Sequence, residues 1–262
     1  MVEKDDTGQT QQGTVSDDTG LNGLTCCDLL SPCYSDDYVT IYHGDCGKIM
    51  PHLGQFDLLL CDPPYGIEGN QAFSARENKG DKRWRCRTVK KYENSDWDKS
   101  IADEWLVSLA RRISEKQIIF GGNYYDLPPS ACWLIWDKEV TGGFADCEMA
   151  WTNLDKAARL KRYLWNGFRK AMPEDRYHPT QKPLAVMAWA LMQAGDVKTC
   201  LDPWMGSGTT LRACKDAGVK CVGIEMQEKY CEIAAQRMLQ EVLPLNEPTK
   251  AHHEVQEDLF QR

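Results

Sequence analysis

Short apolar runs rich in β-branched and aromatic residues alternate along the chain with longer segments whose apolar residues recur every three or four positions. A short apolar run is typical of a buried strand, and a spacing of three or four is typical of a helix with one buried face. The pattern predicts strands over residues 38–42, 56–61, 117–120, 132–136, 199–201 and 221–224. It predicts helices over residues 102–114, 184–194, 210–217 and 229–241. This alternation favours an α/β fold with a mainly parallel, twisted sheet and helices on both faces.

The two ends of the chain differ from this alternating body. Residues 1–36 are rich in Asp, Thr, Gly and Gln, and residues 244–262 are rich in charge, so both are predicted to be disordered tails. The body between them, residues 37–243, is predicted to be one domain. Within it, residues 138–177 lack clean periodicity, and we interpret them as a short inserted recognition region.

The apolar runs are too short to cross a membrane. The first 20 residues have neither the apolar core of a signal peptide nor an Arg-rich transit character, so we expect a cytoplasmic protein. The twelve cysteines are scattered, and those inside predicted strands and helices are expected to be buried free thiols. The cluster of Cys26, Cys27 and Cys33 lacks a second ligand pair at zinc spacing, so no metal site is predicted.

Acidic charge is concentrated at the chain ends. Of the formal net charge of -8, residues 1–37 carry -7 and residues 244–262 carry -2, which leaves +1 for the rest. Basic residues cluster over residues 79–91 and 156–170 with aromatic residues among them, a combination that suits phosphates and unstacked bases. For either stretch alone, a solvated charged face is an equally good interpretation. The candidate nucleic-acid contacts in these stretches are Arg83, Arg85, Arg87, Lys161 and Arg162.

The first candidate site follows the strand over residues 56–61 and reads Asp62-Pro63-Pro64-Tyr65-Gly66. Two consecutive prolines fix the backbone and remove both N–H donors, which leaves a stiff turn that presents carbonyl acceptors only. An exocyclic amino group offers two protons, one for the Asp62 carboxylate and one for a proline carbonyl, and the Tyr65 ring can stack on a base. A surface turn would need only the two prolines, so the whole combination favours a catalytic turn.

The second candidate site follows the strand over residues 199–201 and reads Asp202-Pro203-Trp204-Met205-Gly206-Ser207-Gly208-Thr209-Thr210. The two glycines allow a tight turn and close approach by a ligand, and Thr209 or Thr210 can cap the helix that follows. The next strand ends at Glu225, where an acid commonly binds ribose hydroxyls. The loop lacks the GxGxxG spacing of a pyrophosphate site, which favours a cofactor without phosphates.

The order of these two motifs resembles that of the amino-group DNA methyltransferases of the permuted β class, in which the catalytic half precedes the glycine loop. The resemblance covers roughly residues 38–242. It implies a Rossmann-like fold, S-adenosyl-L-methionine as methyl donor, and double-stranded DNA as substrate, with the target base flipped out of the duplex.

Two further segments resemble parts of that family. Gly44-Asp45-Cys46 resembles the segment whose acid approaches the cofactor adenine, and His178-Pro179-Thr180-Gln181-Lys182-Pro183 resembles the segment that closes over the methionine end. Taken alone, Asp45 is equally well interpreted as a turn residue and Lys182 as a charge at a helix start. The cofactor-binding residues implied by the resemblance are Asp45, Lys182, Asp202, Gly206, Gly208, Thr209 and Glu225.

Several alternatives stay open at this point. The acid at Asp62 favours adenine N6, since N4-cytosine enzymes more often begin this turn with Ser. Methylation of RNA or of a protein glutamine is disfavoured by the permuted order and the basic stretches. A catalytically silent DNA-binding protein with the same fold is disfavoured by the intact turn and loop. The sequence is also compatible with a homodimer.

The extreme C-terminus carries an apolar pair at the end of a polar segment. Residues 256–260 read Gln256-Glu257-Asp258-Leu259-Phe260, and an acidic tail has little reason to carry adjacent Leu and Phe unless they dock. The pentapeptide resembles the short peptide by which bacterial replication and repair proteins bind the sliding clamp, although docking on the protein's own surface is a comparable alternative. The candidate partner-binding residues are Gln256, Leu259 and Phe260.

We expect a peptide covering residues 252–262 to bind a bacterial sliding clamp more tightly than a control peptide with Leu259→Ala and Phe260→Ala. The two apolar side chains are the groups that would fill a pocket on the clamp. Fluorescence anisotropy measures both affinities. Equal affinities would remove the clamp as a partner of this tail.

Overall fold

The computed structural model describes residues 31–66, 101–139, 145–165, 170–172, 174–178 and 180–240. These residues form nine strands in one sheet and five α-helices. The strands are β1 Tyr34–Ser35, β2 Val39–His43, β3 Phe56–Cys61, β4 Ser114–Phe120, β5 Trp133–Asp137, β6 Cys147–Thr152, β7 Arg159–Arg162, β8 Thr199–Asp202 and β9 Lys220–Glu225. The helices are α1 Cys46–Ile49, α2 Glu104–Arg112, α3 Leu184–Gln193, α4 Thr209–Asp216 and α5 Glu228–Met238.

The sheet has the order β1-β2-β9-β8-β3-β4-β6-β5-β7. Strands β2, β9, β8, β3 and β4 run parallel to one another. Strand β6 lies antiparallel between β4 and β5, and β7 pairs parallel with β5 at the sheet edge. The carboxyl ends of the parallel strands, and the beginning of β6, therefore meet at a single edge of the sheet.

Successive residues of the central strands point to opposite faces, and each face is covered by helices. Leu58 and Leu60 of β3 join the core beneath α3, α4 and α5, while Leu59 and Cys61 join the core beneath α1 and α2. Both faces of β3 are thus apolar, which is why its sequence is a continuous apolar run and not an alternating one. The predicted α/β fold with helices on both faces of a mainly parallel sheet is confirmed.

The sequence located all six of its strands and all four of its helices, with boundaries shifted by at most three residues. It missed strand β1, the short helix α1, and strands β6 and β7, of which the last two lie inside residues 138–177. Strand β7 is a charged edge strand and β6 carries Glu148, so neither shows a clean apolar period. The parts of the predicted insertion that form β6 and β7 are therefore an extension of the central sheet.

The N-terminal boundary also differs from the prediction. Residues 31–36 were expected to belong to a disordered tail, yet Tyr34–Ser35 pairs with β2. The Asp36 carboxylate accepts a hydrogen bond from Lys215 Nζ at 2.5 Å. The ordered body therefore begins a few residues earlier than the composition indicates.

The cysteines expected in the core are buried free thiols in the structure: Cys61, Cys132, Cys200, Cys214 and Cys221. The Sγ atoms of Cys200, Cys214 and Cys221 lie within 4.8 Å of one another, where β8, α4 and β9 pack together. No helix among the described residues is long and apolar enough to cross a membrane.

The segment before α3 is fixed by a buried histidine. The His178 ring packs edge-on against Tyr230 of α5 with 4.4 Å between centroids, and its Nδ1 lies 3.0 Å from the Thr180 hydroxyl oxygen. Burial, reinforced by the positive charges of Arg176 and Lys182, lowers the pKa of His178 to about 3. The neutral imidazole is therefore part of the folded structure.

A histidine whose pKa falls on folding contributes stability that is present above its unfolded pKa near 6.5 and is lost as the pH falls toward 3. We expect His178→Gln, which cannot titrate, to make the free energy of unfolding less dependent on pH between 6.5 and 4.5, by up to about 1.4 kcal/mol per pH unit. Urea unfolding of both proteins at several pH values measures this difference. Groups common to both proteins cancel, so identical pH slopes would contradict a buried neutral His178.

Candidate functional site

A cleft of about 340 Å³ opens at the sheet edge where β2, β3, β8 and β9 end. Its walls come from both motifs found in the sequence. The catalytic turn contributes Asp62 and Pro64, and the glycine loop contributes the segment from Asp202 to Thr210. The two loops, 140 residues apart in the sequence, thus face one cavity.

The catalytic turn leaves the buried end of β3 and is held by its second proline. The Pro64 carbonyl accepts hydrogen bonds from the Tyr125 hydroxyl and from the Ala102 N–H. In the part of the chain that the structure describes, no hydrogen bond uses the Pro63 carbonyl. The two proline carbonyls therefore differ, since only the Pro64 carbonyl is used to fix the turn.

A chain of four charged side chains runs beneath this turn. Lys182 Nζ lies 2.5 Å from Asp62 Oδ1 and 3.1 Å from Glu148 Oε2. Glu148 in turn lies 2.5 Å from Lys138 Nζ. The Lys182 ammonium also donates to the Tyr65 hydroxyl at 3.0 Å, and that hydroxyl donates to Asp62 Oδ1.

Burial and neighbouring charge act on these groups in opposite directions. Burial raises the pKa of Asp62, and the Lys182 ammonium only partly offsets this. Burial also raises the pKa of Glu148, but Lys182 and Lys138 outweigh it and hold the pKa at about 2. For Lys182, Asp62 and Glu148 outweigh burial and raise the pKa. Lys182 and Glu148 are therefore ionised near neutral pH.

Lys182 was expected to approach the cofactor. The structure places its ammonium against Asp62 and Tyr65 of the catalytic turn, although the side chain also lines the cleft. The reason is local: Lys182 directly precedes Pro183 and α3, and its buried side chain points toward two carboxylates, where its charge is compensated.

Tyr65 packs face to face with Tyr124, with 5.1 Å between centroids and 22° between planes. Gly121 has a φ of +64°, and a Cβ there would overlap the Tyr65 ring, so glycine is needed for both reasons. Tyr124 is 45% exposed. The aromatic pair thus places a solvent-facing ring against Tyr65, whose hydroxyl donates to Asp62.

The glycine loop is tied to the strand that follows it. Glu225 Oε2 accepts from the Gly206 N–H at 3.1 Å, and Glu225 Oε1 accepts from the Gln227 N–H at 2.8 Å. Gly206 has a φ of +51°, and a Cβ there would project toward the cleft, meeting only the His178 ring at 3.9 Å. Glu225 therefore shapes the loop as well as lining the cavity.

The expected helix cap at Thr209 or Thr210 is wrong. Helix α4 has Gly208 at its N-cap, with a φ of +78° and no side-chain hydrogen bond. The Thr209 hydroxyl instead accepts a hydrogen bond from Arg237 at 3.2 Å, and the same guanidinium donates to the Ser207 carbonyl at 2.6 Å. Gly208 suits the cap because a Cβ there would lie 2.8 Å from Ala234.

Two other acids line the cleft. The Asp45 carboxylate accepts a hydrogen bond from the Gly47 N–H at 2.8 Å and caps α1. Asp45 is therefore a turn residue, and it also lines the cleft. Asp202 accepts from the Trp204 N–H at 3.1 Å. Burial raises the pKa of Asp202 to about 8.

Of the predicted nucleic-acid contacts, Lys161 and Arg162 lie on the edge strand β7, which ends at the same sheet edge as the cleft. The Arg162 guanidinium lies 3.5 Å from the Asp137 carboxylate and is largely exposed. The predicted contacts that lie outside the described residues are Arg83, Arg85 and Arg87, with Gln256, Leu259 and Phe260 of the tail. Clamp binding and a homodimer stay predictions.

The sequence missed three residues that build the site: Glu148, Lys138 and Arg237. Glu148 and Lys138 meet only because β5 and β6 pair antiparallel, with Asp137 opposite Cys147. Arg237 reaches the glycine loop from the last turn of α5. The signal available for Lys138 was its position directly after an apolar strand, and the other two depend on tertiary packing.

Comparisons with known proteins agree with this architecture. A family model described as DNA methylase, N6_N4_Mtase, matches residues 88–236, which include the glycine loop and lie after the catalytic turn. The chain is 24% identical over 216 residues to the putative methylase YubD of Escherichia coli (strain K12), which covers 74% of this chain and 88% of YubD. It is 41% identical over 64 residues to the type II methyltransferase M.HpaI of Haemophilus parainfluenzae, 23% of this chain and 20% of that protein.

Among solved structures, the PvuII DNA methyltransferase (cytosine-N4-specific) superposes with a TM-score of 0.52 at 13% identity. The match covers 81% of this chain and 90% of that one, and shows the shared fold. Since the family model spans more than half of the residues, the chain belongs to the N6/N4 DNA methylase family.

Proposed function

We propose that this protein transfers a methyl group from S-adenosyl-L-methionine to the N6 amine of adenine in double-stranded DNA. The observation that carries the proposal is that the Asp62 carboxylate and the Gly206–Glu225 loop assembly line one cleft. One loop offers acceptors for an amine, and the other offers a surface for the cofactor.

S-adenosyl-L-methionine is the cofactor of this chain, as its family membership implies. The residues of the cleft fit it. Asp45, Asp202 and Glu225 supply oxygen acceptors for ribose and adenine groups, and the open space beside Gly206 is what a Cβ would fill. Bound there, the cofactor supplies an electrophilic methyl group on a positively charged sulfur.

The catalytic turn acts on the amine. The lone pair of an exocyclic amine is delocalised into the ring, so the amine must be drawn toward tetrahedral geometry before it attacks. Asp62 and the Pro63 carbonyl, by accepting both N–H protons, localise that lone pair and aim it into the cleft. We propose a direct in-line displacement without a covalent enzyme intermediate. Cys61, the nearest thiol in sequence, is buried in the core with its pKa raised by burial, and is not suited as a nucleophile.

The base must leave the duplex to reach this turn, which costs a few kcal/mol. The exposed Tyr124 ring is stacked on Tyr65, whose hydroxyl donates to Asp62, and offers an aromatic surface for the flipped base. Basic residues of β7 offer contacts for the DNA backbone at the same edge.

Cytosine N4 is the competing target, because the same geometry serves a smaller base. The fold shared with the cytosine-N4-specific PvuII enzyme is compatible with it. Asp62 at the start of the turn favours adenine. Incubation with labelled S-adenosyl-L-methionine and unmethylated DNA, followed by mass spectrometry of the nucleosides, distinguishes the two bases and tests the proposal: no labelled nucleoside would refute it.

We expect Asp62→Ala to lower methyl transfer at least about 100-fold while cofactor affinity changes little, because the two loops hold different ligands. Glu225→Ala should have the reverse pattern, with cofactor affinity weakened about tenfold or more through loss of the Gly206 anchor. Calorimetry gives cofactor affinity and single-turnover assays give the transfer rate. Equal loss of both quantities in Asp62→Ala would contradict the assignment.

The double variant Lys161→Ala with Arg162→Ala should weaken DNA binding and flatten its dependence on salt by about two ion contacts, since each phosphate contact contributes roughly one unit of slope. The matched control is Lys198→Ala with Lys220→Ala, which removes two exposed positive charges at the opposite edge of the sheet. Binding is measured from 50 to 200 mM salt, a range of roughly this width being the informative one. Equal slopes in the two double variants would indicate that β7 is a solvated charged face that does not contact DNA.

A further inference from the structure

We propose that Lys182 is a substrate-binding residue whose ammonium donates a hydrogen bond to the ring nitrogen beside the target amine, N1 in adenine, and thereby masks that nitrogen from methylation. The inference rests on the proposed function and adds a determinant of which nitrogen is methylated.

The position of Lys182 carries the first step. Its ammonium lies 2.5 Å from Asp62 Oδ1, and its side chain is only 5% exposed. In adenine, N1 is two bonds away from the amine nitrogen, so a donor next to the carboxylate that binds the amine is within reach of N1. A carboxylate has two oxygens, so Asp62 can keep Lys182 on Oδ1 and accept the amine on Oδ2.

The ammonium also has a donor to offer. It carries three N–H groups, of which Asp62 and the Tyr65 hydroxyl take two. The third group faces Glu148 Oε2 at 3.1 Å, but this buried oxygen makes no aligned hydrogen bond in the described part of the chain. A base entering the cleft can therefore receive a hydrogen bond without breaking one that is well formed.

Glu148 and Lys138 balance the charges around the Lys182 ammonium. Asp62 and Glu148 bring two negative charges, and Lys182 and Lys138 bring two positive ones, so the buried group is neutral as a whole. Without Glu148, a base that hydrogen-bonds to Asp62 would leave the positive charge of Lys182 buried with too little negative charge around it. Glu148 is thus a positioning residue that acts through Lys182.

The chemistry of the base supplies the need for such a donor. The N1 lone pair of adenine lies in the ring plane and is the more basic, whereas the N6 lone pair is delocalised. Transfer to N6 forms the N–CH3 bond, breaks the S–CH3 bond with its electron pair left on sulfur, and releases one amine proton, for which Asp62 is the nearest acceptor. Transfer to N1 would need no such help, so a hydrogen bond that engages the N1 lone pair adds to the selectivity that positioning of the amine provides. The same reasoning applies to N3 of cytosine.

The test compares two proteins on two substrates. Each substrate is a DNA duplex that contains the methylated site, and that site is first identified by the nucleoside assay and sequencing. The target adenine is replaced by 1-deazaadenine, which keeps the amine and lacks N1. We expect the ratio of kcat/KM for adenine over 1-deazaadenine to be about 10- to 100-fold larger in the wild type than in Lys182→Met. The intrinsic effect of the analogue on the amine is common to both proteins and cancels. If the target is cytosine, 3-deazacytosine takes the place of 1-deazaadenine.

A second measurement reads the product. Lys182→Met should yield N1-methyladenine at the target at a level well above the wild type, whereas Lys182→Arg, which retains a donor, should restore N6 selectivity at least in part. Digestion is kept at neutral pH, because N1-methyladenine rearranges to N6-methyladenine in alkali.

Lys138→Met is the matched control, since it removes the same charge from the same partner, Glu148, without touching Asp62. Because it unbalances the buried charge, it should lower kcat/KM for both bases alike and keep the wild-type ratio between them. If Lys182→Met fails to fold, Lys182→Met with Glu148→Gln removes the unbalanced charge and serves in its place, with cofactor affinity as the check on integrity.

The outcomes separate the inference from the proposed function. A wild-type protein that methylates no DNA overturns both. A wild-type protein that methylates DNA, with the same ratio for the two bases in Lys182→Met as in the wild type and no N1 product, overturns the inference alone.

Discussion

The buried contact between Lys182 and Asp62 joins parts of the molecule that the chain brings together from far apart. Asp62 follows β3, Glu148 begins β6 and Lys182 precedes α3. The attraction is strengthened because the Lys182 side chain is only 5% exposed, and the same burial makes its charge costly without the two carboxylates. The geometry of the catalytic turn therefore depends on the antiparallel strand β6 as much as on the two prolines.

The cofactor half depends on a different device. Glu225 and Arg237 hold the glycine loop from opposite sides, the first through the Gly206 N–H and the second through the Ser207 carbonyl. The two residues with positive φ, Gly206 and Gly208, lie on either side of Ser207. The loop is thus preformed, and ligand binding need not order it.

The sequence predicted the site residues best where they lie next to a strand that can itself be recognised in the sequence. Asp62, Pro63, Gly206 and Glu225 each follow or precede a strand that its apolar run reveals, and parallel strands bring their carboxyl ends to one edge without further information. What sequence reasoning could not supply was register and packing. The neighbours of Lys182 in sequence predicted a place in the cofactor cleft, which it lines, but they gave no sign of the two carboxylates that its ammonium contacts, which are 120 and 34 residues away. The helix cap was wrong for a related reason: the space beside Ala234 excludes a side chain at Gly208.

Strand β7 ends the sheet with one edge unpaired among the described strands, and such an edge is a template on which another chain can add a strand. Its sequence, Arg-Leu-Lys-Arg, places a positive charge at three of four positions, and Leu160 is 55% exposed. Two copies approaching edge to edge would bring these like charges together. The same charges that suit a phosphate backbone therefore also oppose aggregation through the sheet edge, and a polyanion that neutralises them without covering Leu160 would weaken that protection.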